Sequence, residues 1–190
     1  LTAQSADSSL LSLERIYTST DFRPEFFGPA RWLAGGTAYT TLERSREGKG
    51  GQDLVRYDVE TGTRTVLVPA TRLIPTGDTL PLTVENYVWS ADEQQLLVFT
   101  NSQPVWRQNT RGDYWALDLR TGRLRKLGGA RAKASTLMFA KFAPEGRRVG
   151  YVRENNLYVE DLASGRIVQL TRDGSRTIIN GTFDWVYEEE

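Results

Sequence analysis

The 190-residue sequence contains no cysteine and no histidine. Without cysteine the chain has no disulfide framework and no thiol chemistry. Without histidine it lacks the usual general base and the commonest metal ligand, so a Ser-His-Asp triad is not assembled from these residues alone. The lack of cysteine leaves the cellular compartment open, because bacterial secreted proteins often have no disulfides.

The sequence also lacks an excess of either charge and any long apolar run. Lys and Arg together number 24, and Asp and Glu together also number 24, so the formal net charge at pH 7 is zero. No long-range field therefore attracts the chain to nucleic acid or to an anionic membrane, and we predict neither partner. A membrane helix needs about 18 or more consecutive apolar residues, and we predict no membrane span.

Residues 1–6 lack the charged and apolar regions of a signal peptide. A bacterial chain that begins just after a removed signal has such a start, and so does a cytoplasmic protein. Between these two, we predict a periplasmic or secreted bacterial protein and keep the cytoplasm as the alternative.

The N-terminal part differs in pattern from the rest. Apolar residues recur at helical spacing over residues 8–17, with serines available to cap the start, which predicts a short helix. Residues 21–29 carry three phenylalanines and two prolines, which interrupt a helix and favour an aromatic arm lying on a neighbouring surface. We therefore assign residues 1–29 to an N-terminal helix and a connector arm.

From residue 30 onward, short β-type runs alternate with turns, and one template occurs three times. Each copy has an aromatic-containing strand, then Asp, an aliphatic residue, two variable positions and Gly, followed by a second strand. The copies are residues 54–62, 114–122 and 157–165. Gly supplies the positive φ of a tight turn, and Asp with Thr or Ser can hydrogen-bond the turn backbone, so the template predicts hairpins.

A second type of hairpin precedes each copy, and these lie at residues 32–41, 88–99 and 142–152. Two hairpins per repeat make four strands. Asp58, Asp118 and Asp161 are 60 and 43 residues apart, which brackets the period of a four-stranded propeller blade. The longer first interval predicts insertions at residues 69–81 and 101–112.

We therefore predict an all-β fold, a partial β-propeller of about three four-stranded antiparallel blades and the start of a fourth, with a short N-terminal helix. A β-sandwich is the alternative, but its strands need not repeat a whole four-stranded unit. The domain would span residues 30–190, and the predicted blades cover residues 30–68, 88–127 and 139–170, with a fourth beginning near Thr177. Closed propellers have about 4 to 8 blades, so we expect an incomplete ring.

The last seven residues read Asp-Trp-Val-Tyr-Glu-Glu-Glu. An acidic run at a chain end is most often a solvated tail. This run, however, resembles a motif of the dipeptidyl peptidase IV family at all seven positions. In that family the last two glutamates bind the free α-ammonium of a peptide substrate, and the resemblance implies this role for Glu189 and Glu190.

Residues 105–108, Val-Trp-Arg-Gln, followed by the tyrosine strand at 114–119, resemble a second segment of the same family. Its arginine reaches a substrate backbone carbonyl near the ammonium site, and the resemblance assigns that role to Arg107. Without the resemblance, Arg107 would be interpreted as a surface arginine on a loop. A guanidinium suits the implied role, because it can hold a carboxylate with paired hydrogen bonds and still donate to a carbonyl. The family's next residue, a histidine, is Gln108 here.

The resemblance implies an eight-bladed propeller followed by an α/β-hydrolase domain, of which this chain would cover roughly the first three blades. It also implies a serine dipeptidyl peptidase that releases N-terminal Xaa-Pro or Xaa-Ala dipeptides, with the catalytic residues beyond residue 190. We expect this chain alone to recognise a peptide N-terminus and to be inactive. The implied partners are the peptide and the hydrolase domain of the same parent, with a homodimer of the parent as a further option.

Other functions receive less support. A non-catalytic propeller that serves as a protein-interaction scaffold stays the alternative. An endopeptidase or acyl-peptidase relative is disfavoured, because two carboxylates at the ammonium site do not help an enzyme that accepts blocked or internal peptides. Asp92, Glu93 and Asp113 lack the alternating oxygen-ligand spacing of a calcium loop, and the glycine pairs lack the Lys-Ser/Thr of a phosphate loop. We predict no metal and no cofactor.

Overall fold

Twelve antiparallel strands and one short α-helix make up the part of the chain that the computed structural model describes, which is residues 11–22, 27–47, 50–130, 132–183 and 186–187. The helix, α1 (Leu13–Thr18), is shorter than the predicted 8–17 at its start, and residues 1–10 lie outside the described ranges. The Ser12 side chain caps it by accepting a hydrogen bond from the Arg15 backbone N–H at 3.1 Å. The helix buries none of its residues.

The strands form three successive four-stranded units. The first unit contains β1 (Arg31–Trp32), β2 (Ala38–Arg44), β3 (Gln52–Asp58) and β4 (Arg64–Val68), paired in that order. A 3-10 turn, Ala70–Leu73, follows. The second unit contains β5 (Asn86–Trp89), β6 (Gln95–Gln103), β7 (Arg111–Asp118) and β8 (Leu124–Lys126). The third unit contains β9 (Leu137–Phe142), β10 (Arg148–Arg153), β11 (Asn156–Asp161) and β12 (Ile167–Gln169).

The second and third units share one sheet, because the start of β7 pairs with the start of β9. The partners there are Arg111 with Met138 and Gly112 with Leu137, while the rest of β7 pairs with β6 and β8. The sheet order is accordingly β12-β11-β10-β9-β7-β6-β5, with β8 on the side of β7. The sequence pattern did not predict this link between two units.

The repeated turn template forms the same hydrogen bonds in all three units. In the first unit, Thr61 donates its backbone N–H to Asp58 Oδ1 at 3.0 Å, and the Gly62 N–H donates to the Asp58 carbonyl at 2.9 Å. Asp118 and Asp161 accept the equivalent pairs of bonds at 2.7 to 2.9 Å. The three turn glycines have φ between 67° and 78°, the left-handed region that a side chain disfavours. The predicted hairpins are therefore confirmed as a structural repeat.

The middle unit is buried on both faces, which distinguishes this fold from a sandwich. Successive residues of β6 point to opposite sides of the sheet. Leu96 packs into a core against the first unit, with Leu54 and Val68, and Leu97 packs into a second core against the third unit, with Val149. The cores thus lie between consecutive units, as between the blades of a propeller. The fold is an all-β partial β-propeller with a short N-terminal helix, which confirms the predicted class.

Buried polar groups also join the units. Between the first and second units, Thr40 Oγ1 lies 3.0 Å from the Tyr87 hydroxyl and accepts a hydrogen bond from Trp89 Nε1 at 2.9 Å. Between the second and third, the buried Glu160 carboxylate accepts from Arg125 Nη2 at 3.0 Å and from the Gly128 N–H at 2.9 Å. Within the third unit it also accepts from the Tyr151 hydroxyl at 3.3 Å. Burial, with a further contribution from the Glu160 charge, raises the pKa of Tyr151 above its usual range. These pairings satisfy groups that would be costly to bury alone.

After β12 the chain folds back on the turn between β10 and β11. The Gly174 N–H donates to Asn156 Oδ1 at 3.0 Å, and Asn180 Nδ2 donates to the Asn155 carbonyl at 3.1 Å. Within the described residues 171–183 there is no strand, so a fourth blade near Thr177 stays a prediction. No helix in the described ranges is long and apolar enough to cross a membrane.

Candidate functional site

Arg107 lies at the tip of the loop formed by residues 104–110, which joins β6 to β7. The Val105 N–H donates to the Gln108 carbonyl at 3.1 Å and closes a turn with Trp106 and Arg107 at its outer end. Both side chains are exposed, Trp106 by 55%. An indole ring and a guanidinium are therefore presented together beyond the end of the sheet.

The base of this loop is anchored by Glu85, which directly precedes β5. The Ser102 backbone N–H donates to Glu85 Oε1 at 2.9 Å, and the Ser102 hydroxyl donates to the other carboxylate oxygen. On the returning side of the loop, Asn109 Nδ2 donates to Ser102 Oγ at 3.0 Å. One carboxylate thus holds the end of β6 directly, and through Ser102 it also holds Asn109, which lies two residues after Arg107.

A second carboxylate, Asp113, ties the same region to the third unit. It is 5% exposed, and its Oδ2 accepts from Asn101 Nδ2 at 2.9 Å and lies 3.0 Å from Lys126 Nζ. Its Oδ1 accepts the Ser135 N–H at 2.9 Å, while the Ser135 hydroxyl donates back to the Asn101 carbonyl at 2.6 Å. Asp113 is therefore fully used in holding the loop base against the segment that leads to β9.

Gly112 allows the close packing at the start of β7. A Cβ placed there would lie 2.4 Å from Phe99 Cε2 and 2.8 Å from the Thr100 carbonyl oxygen, so a side chain does not fit without movement. The Phe99 ring in turn packs on Tyr114, with ring centroids 4.7 Å apart. Burial raises the pKa of Tyr114 to about 12. The strands that carry the Arg107 loop are thus fixed by tight ring packing as well as by the two carboxylates.

Glu189 and Glu190 lie outside the described residues, so their position relative to Arg107 stays a prediction. Of the seven-residue motif, the described residues are Val186 and Tyr187, which have helical backbone geometry and exposed side chains. Within the described ranges, no three His, Asp or Glu side chains cluster in a way that could hold a metal ion.

The sequence analysis missed the residues that hold the loop: Glu85, Ser102, Asn109 and Asp113. Glu85 and Ser102 are 17 residues apart in the sequence. Glu85 directly precedes β5 and Ser102 lies near the end of β6, so the two become neighbours only when the β5–β6 hairpin forms. No local spacing indicates such a pair. The only signal was the long interval after the first turn template, which predicted an insertion around residues 101–112.

Comparison with known proteins places this geometry in a family. The model of the dipeptidyl peptidase IV (DPP IV) N-terminal region matches residues 90–190. The crystal structure of Porphyromonas gingivalis dipeptidyl peptidase 4 superposes with a TM-score of 0.77 at 29% identity, over 95% of this chain and 24% of that one. The fold and the match together define the chain as part of a β-propeller. The chain belongs to the dipeptidyl peptidase IV family and corresponds to the N-terminal region of its members.

Curated relatives support the same assignment. A probable dipeptidyl-aminopeptidase B of Sordaria macrospora is 32% identical over 165 residues, which is 84% of this chain and 18% of the relative. Another from Chaetomium globosum is 38% identical over 101 residues, 53% of this chain and 11% of the relative. The chain spans about a fifth or less of the length of these relatives.

Proposed function

We propose that this chain is the substrate-recognition part of a serine dipeptidyl peptidase that releases N-terminal Xaa-Pro or Xaa-Ala dipeptides. The observation that carries the proposal is the exposed Arg107 at the tip of a loop whose base is held by Glu85 and Asp113, in a chain of this family. A binding group must be held in one place to act on a flexible peptide, and such anchoring reduces the entropy lost on binding.

Arg107 would bind a backbone carbonyl of the peptide. A guanidinium carries five N–H donors in a planar fork, so it can serve a carbonyl and a carboxylate at the same time. Lys would offer a single charged point without that geometry. The adjacent Trp106 ring adds an apolar wall next to the donor.

Glu189 and Glu190 would bind the peptide α-ammonium. An α-amine has a pKa of about 8, so it is largely charged at neutral pH, and two carboxylates can accept charge-assisted hydrogen bonds from it. Adjacent side chains on a helix point about 100° apart, so both reach one ammonium only if it lies between them. The helical backbone of Val186 and Tyr187 supports this arrangement.

Bond cleavage would use residues outside this chain. A Ser-His-Asp triad needs a histidine, and the sequence has none. The proposed partners are therefore the peptide N-terminus and an α/β-hydrolase domain in the complete protein. The periplasmic or secreted location and the homodimer stay predictions, since neither the fold nor the names of the relatives bear on them.

The test compares single variants of the complete protein on chromogenic Xaa-Pro and Xaa-Ala substrates. Truncating one partner of a buried charged pair costs about 2 to 5 kcal/mol, so Glu189→Gln and Glu190→Gln should lower kcat/KM by roughly 30-fold to several thousand-fold. Arg107→Ala should also raise KM. Arg172→Ala, which removes an exposed arginine elsewhere, and Glu145→Gln are the matched controls and should keep wild-type values.

N-acetylated substrates provide a second criterion. The wild-type protein should discriminate strongly against them, because a blocked amine leaves both carboxylates desolvated and unpaired. That discrimination should shrink in both Gln variants. Near-wild-type kcat/KM on free-amine substrates in the Arg107 and glutamate variants would refute the proposed recognition site. Peptide binding with no turnover in the complete protein would favour the non-catalytic scaffold.

A further inference from the structure

A cleft of about 310 Å³ lies between the second and third units, at the ends of the strands opposite to the Arg107 loop. β6 begins at Gln95 in this cleft and ends at Gln103 next to that loop. The walls come mainly from the turns that follow β7 and β11. Four arginines line it, against one carboxylate, Asp118: Arg120, Arg123, Arg125 and Arg147.

This charge distribution is local. The whole chain has equal numbers of acidic and basic residues, so its composition does not explain four guanidinium groups around one small cleft. Asp118 is committed to its own turn, where its Oδ1 accepts the Thr121 N–H at 2.9 Å. That hydrogen bond, together with the nearby Arg120 charge, lowers the pKa of Asp118, so it contributes one negative charge at neutral pH.

Two of the arginines are held in place. Arg125 Nη2 lies 3.0 Å from Glu160 Oε1 and also donates to the Asp161 carbonyl at 3.2 Å. Arg125 Nε is buried and meets no acceptor among the described residues. Arg123 Nη1 donates to the Ala163 carbonyl at 3.3 Å. Each guanidinium is therefore positioned by the third unit and retains N–H groups that these contacts do not use.

The other two arginines, Arg120 and Arg147, are exposed. Neither forms an ion pair within the described part of the chain. Two acids near Arg147 are bonded elsewhere: the Asp161 carboxylate accepts from the Ser164 N–H and hydroxyl, both at 2.7 Å, and Glu145 Oε1 accepts from Arg148 Nε at 2.6 Å. The cleft thus combines two fixed and two adaptable cations whose mutual repulsion an anion would relieve.

We propose that this cleft binds a small multivalent oxyanion of the phosphate class. Planar guanidinium groups pair with such oxyanions through two parallel hydrogen bonds, which a cleft with several arginines can repeat on different oxygens. The volume is at the lower end for ligand sites, and it admits a phosphate, a pyrophosphate or a phosphomonoester. The bound anion would bridge the β7–β8 turn of the second unit and the β9–β10 turn of the third.

The experiment is a calorimetric titration of the complete protein with sodium phosphate, sodium pyrophosphate and O-phosphoserine at low ionic strength, where surface charges are weakly screened. We expect saturable binding with one site per chain. Arg120→Gln and Arg147→Gln should each weaken it by about tenfold or more, the effect of losing a charged hydrogen bond. Arg176→Gln removes the same charge from an exposed position outside the cleft and should change binding by less than about twofold.

The two exposed arginines are chosen because their removal leaves no buried charge unpaired, whereas Arg125→Gln would leave Glu160 buried without its cationic partner. Thermal unfolding of each variant should match the wild type and so exclude loss of fold. Binding of phosphate and pyrophosphate without O-phosphoserine would assign the free anion, and binding of all three would assign the phosphate group itself. Absence of saturable binding, or an equal loss in Arg176→Gln, would overturn the proposal.

Discussion

Glu85 accepts two hydrogen bonds from Ser102, one from the backbone N–H and one from the hydroxyl. These bonds fix the end of β6, and the bond from Asn109 to Ser102 fixes the returning strand. Arg107 lies between the two fixed points. Its position in space therefore depends on a carboxylate that does not itself extend to the loop tip.

The first prediction follows from this dependence. Glu85→Gln in the complete protein should raise KM for free-amine dipeptide substrates by about tenfold. The amide keeps one acceptor oxygen and replaces the other with an NH2 donor, so it cannot accept both bonds from Ser102, and small displacements of a binding group are costly. The value of kcat should change by less than about twofold, as expected when binding alone is weakened. Glu145→Gln, which removes a carboxylate paired with Arg148 on a turn at the other end of the strands, should leave both constants unchanged. An effect of Arg107→Ala with none of Glu85→Gln would contradict the positioning role while preserving that of Arg107.

The second prediction concerns stability. Asp113→Ala leaves the Ser135 N–H, the Asn101 side chain and Lys126 without their shared acceptor, and breaking such a buried pairing costs about 3 to 5 kcal/mol. Urea unfolding should show this loss. Asp78→Ala, at an exposed position, should change the free energy of unfolding by no more than about 0.5 kcal/mol. Equal stability of the two variants would show that Asp113 does not hold the units together.

The third prediction tests the close packing at Gly112. Gly112→Ala introduces a Cβ into the space of the Phe99 ring and should destabilise the protein by about 1 to 3 kcal/mol, the usual cost of overpacking. Gly35→Ala is the control, because the nearest atom to its added Cβ is Thr37 Oγ1 at 3.6 Å. Phe99→Leu should recover part of the loss in the double variant. A tolerated Gly112→Ala would mean that β7 and the Phe99 ring separate readily.

The fourth prediction is a pH dependence. Hydrogen bonds from Thr61, Thr121 and Ser164 hold the pKa of Asp58, Asp118 and Asp161, respectively, below the usual range. A carboxyl group whose pKa is lower in the folded state stabilises the fold above its unfolded pKa, near 4, and that contribution is lost as the pH falls through the folded pKa. The melting temperature should therefore drop below about pH 4.

A variant isolates this effect at one turn. Asp58→Asn should melt below the wild type at pH 7, and the difference should narrow as the pH falls below about 4, where the wild-type carboxyl also becomes neutral. Asp78→Asn should run parallel to the wild type at every pH. A constant difference between Asp58→Asn and the wild type across the whole range would show that the charge of Asp58 does not contribute.

Local chemistry accounts for what the sequence could predict. The Asp and Gly of each turn template lie four residues apart and make their bonds within the turn, so the hairpins were visible in the sequence. The pairing of β7 with β9 and the bonds of Glu85 and Asp113 join residues 12 to 27 positions apart. They exist only once the hairpins form and the units pack. The roles of Arg107, Glu189 and Glu190 came from a resemblance, because nothing in an exposed arginine or an acidic run specifies a ligand.

The three Asp-Gly turns and the hairpin turns between the first two strands of each unit lie at one end of the sheets, where backbone bonds such as Val59 N–H to the Thr37 carbonyl and Leu119 N–H to the Gln94 carbonyl connect them. These bonds help to set the strand alignment at that end. At the opposite end, residues 104–110 extend beyond the sheet from a base held by Glu85 and Asp113, while the pairing of β6 with β7 stays regular from Gln95–Asp118 to Thr100–Asp113. In a scaffold of this kind, a recognition loop at one end of the strands can change in length or sequence while the packing between the units stays the same.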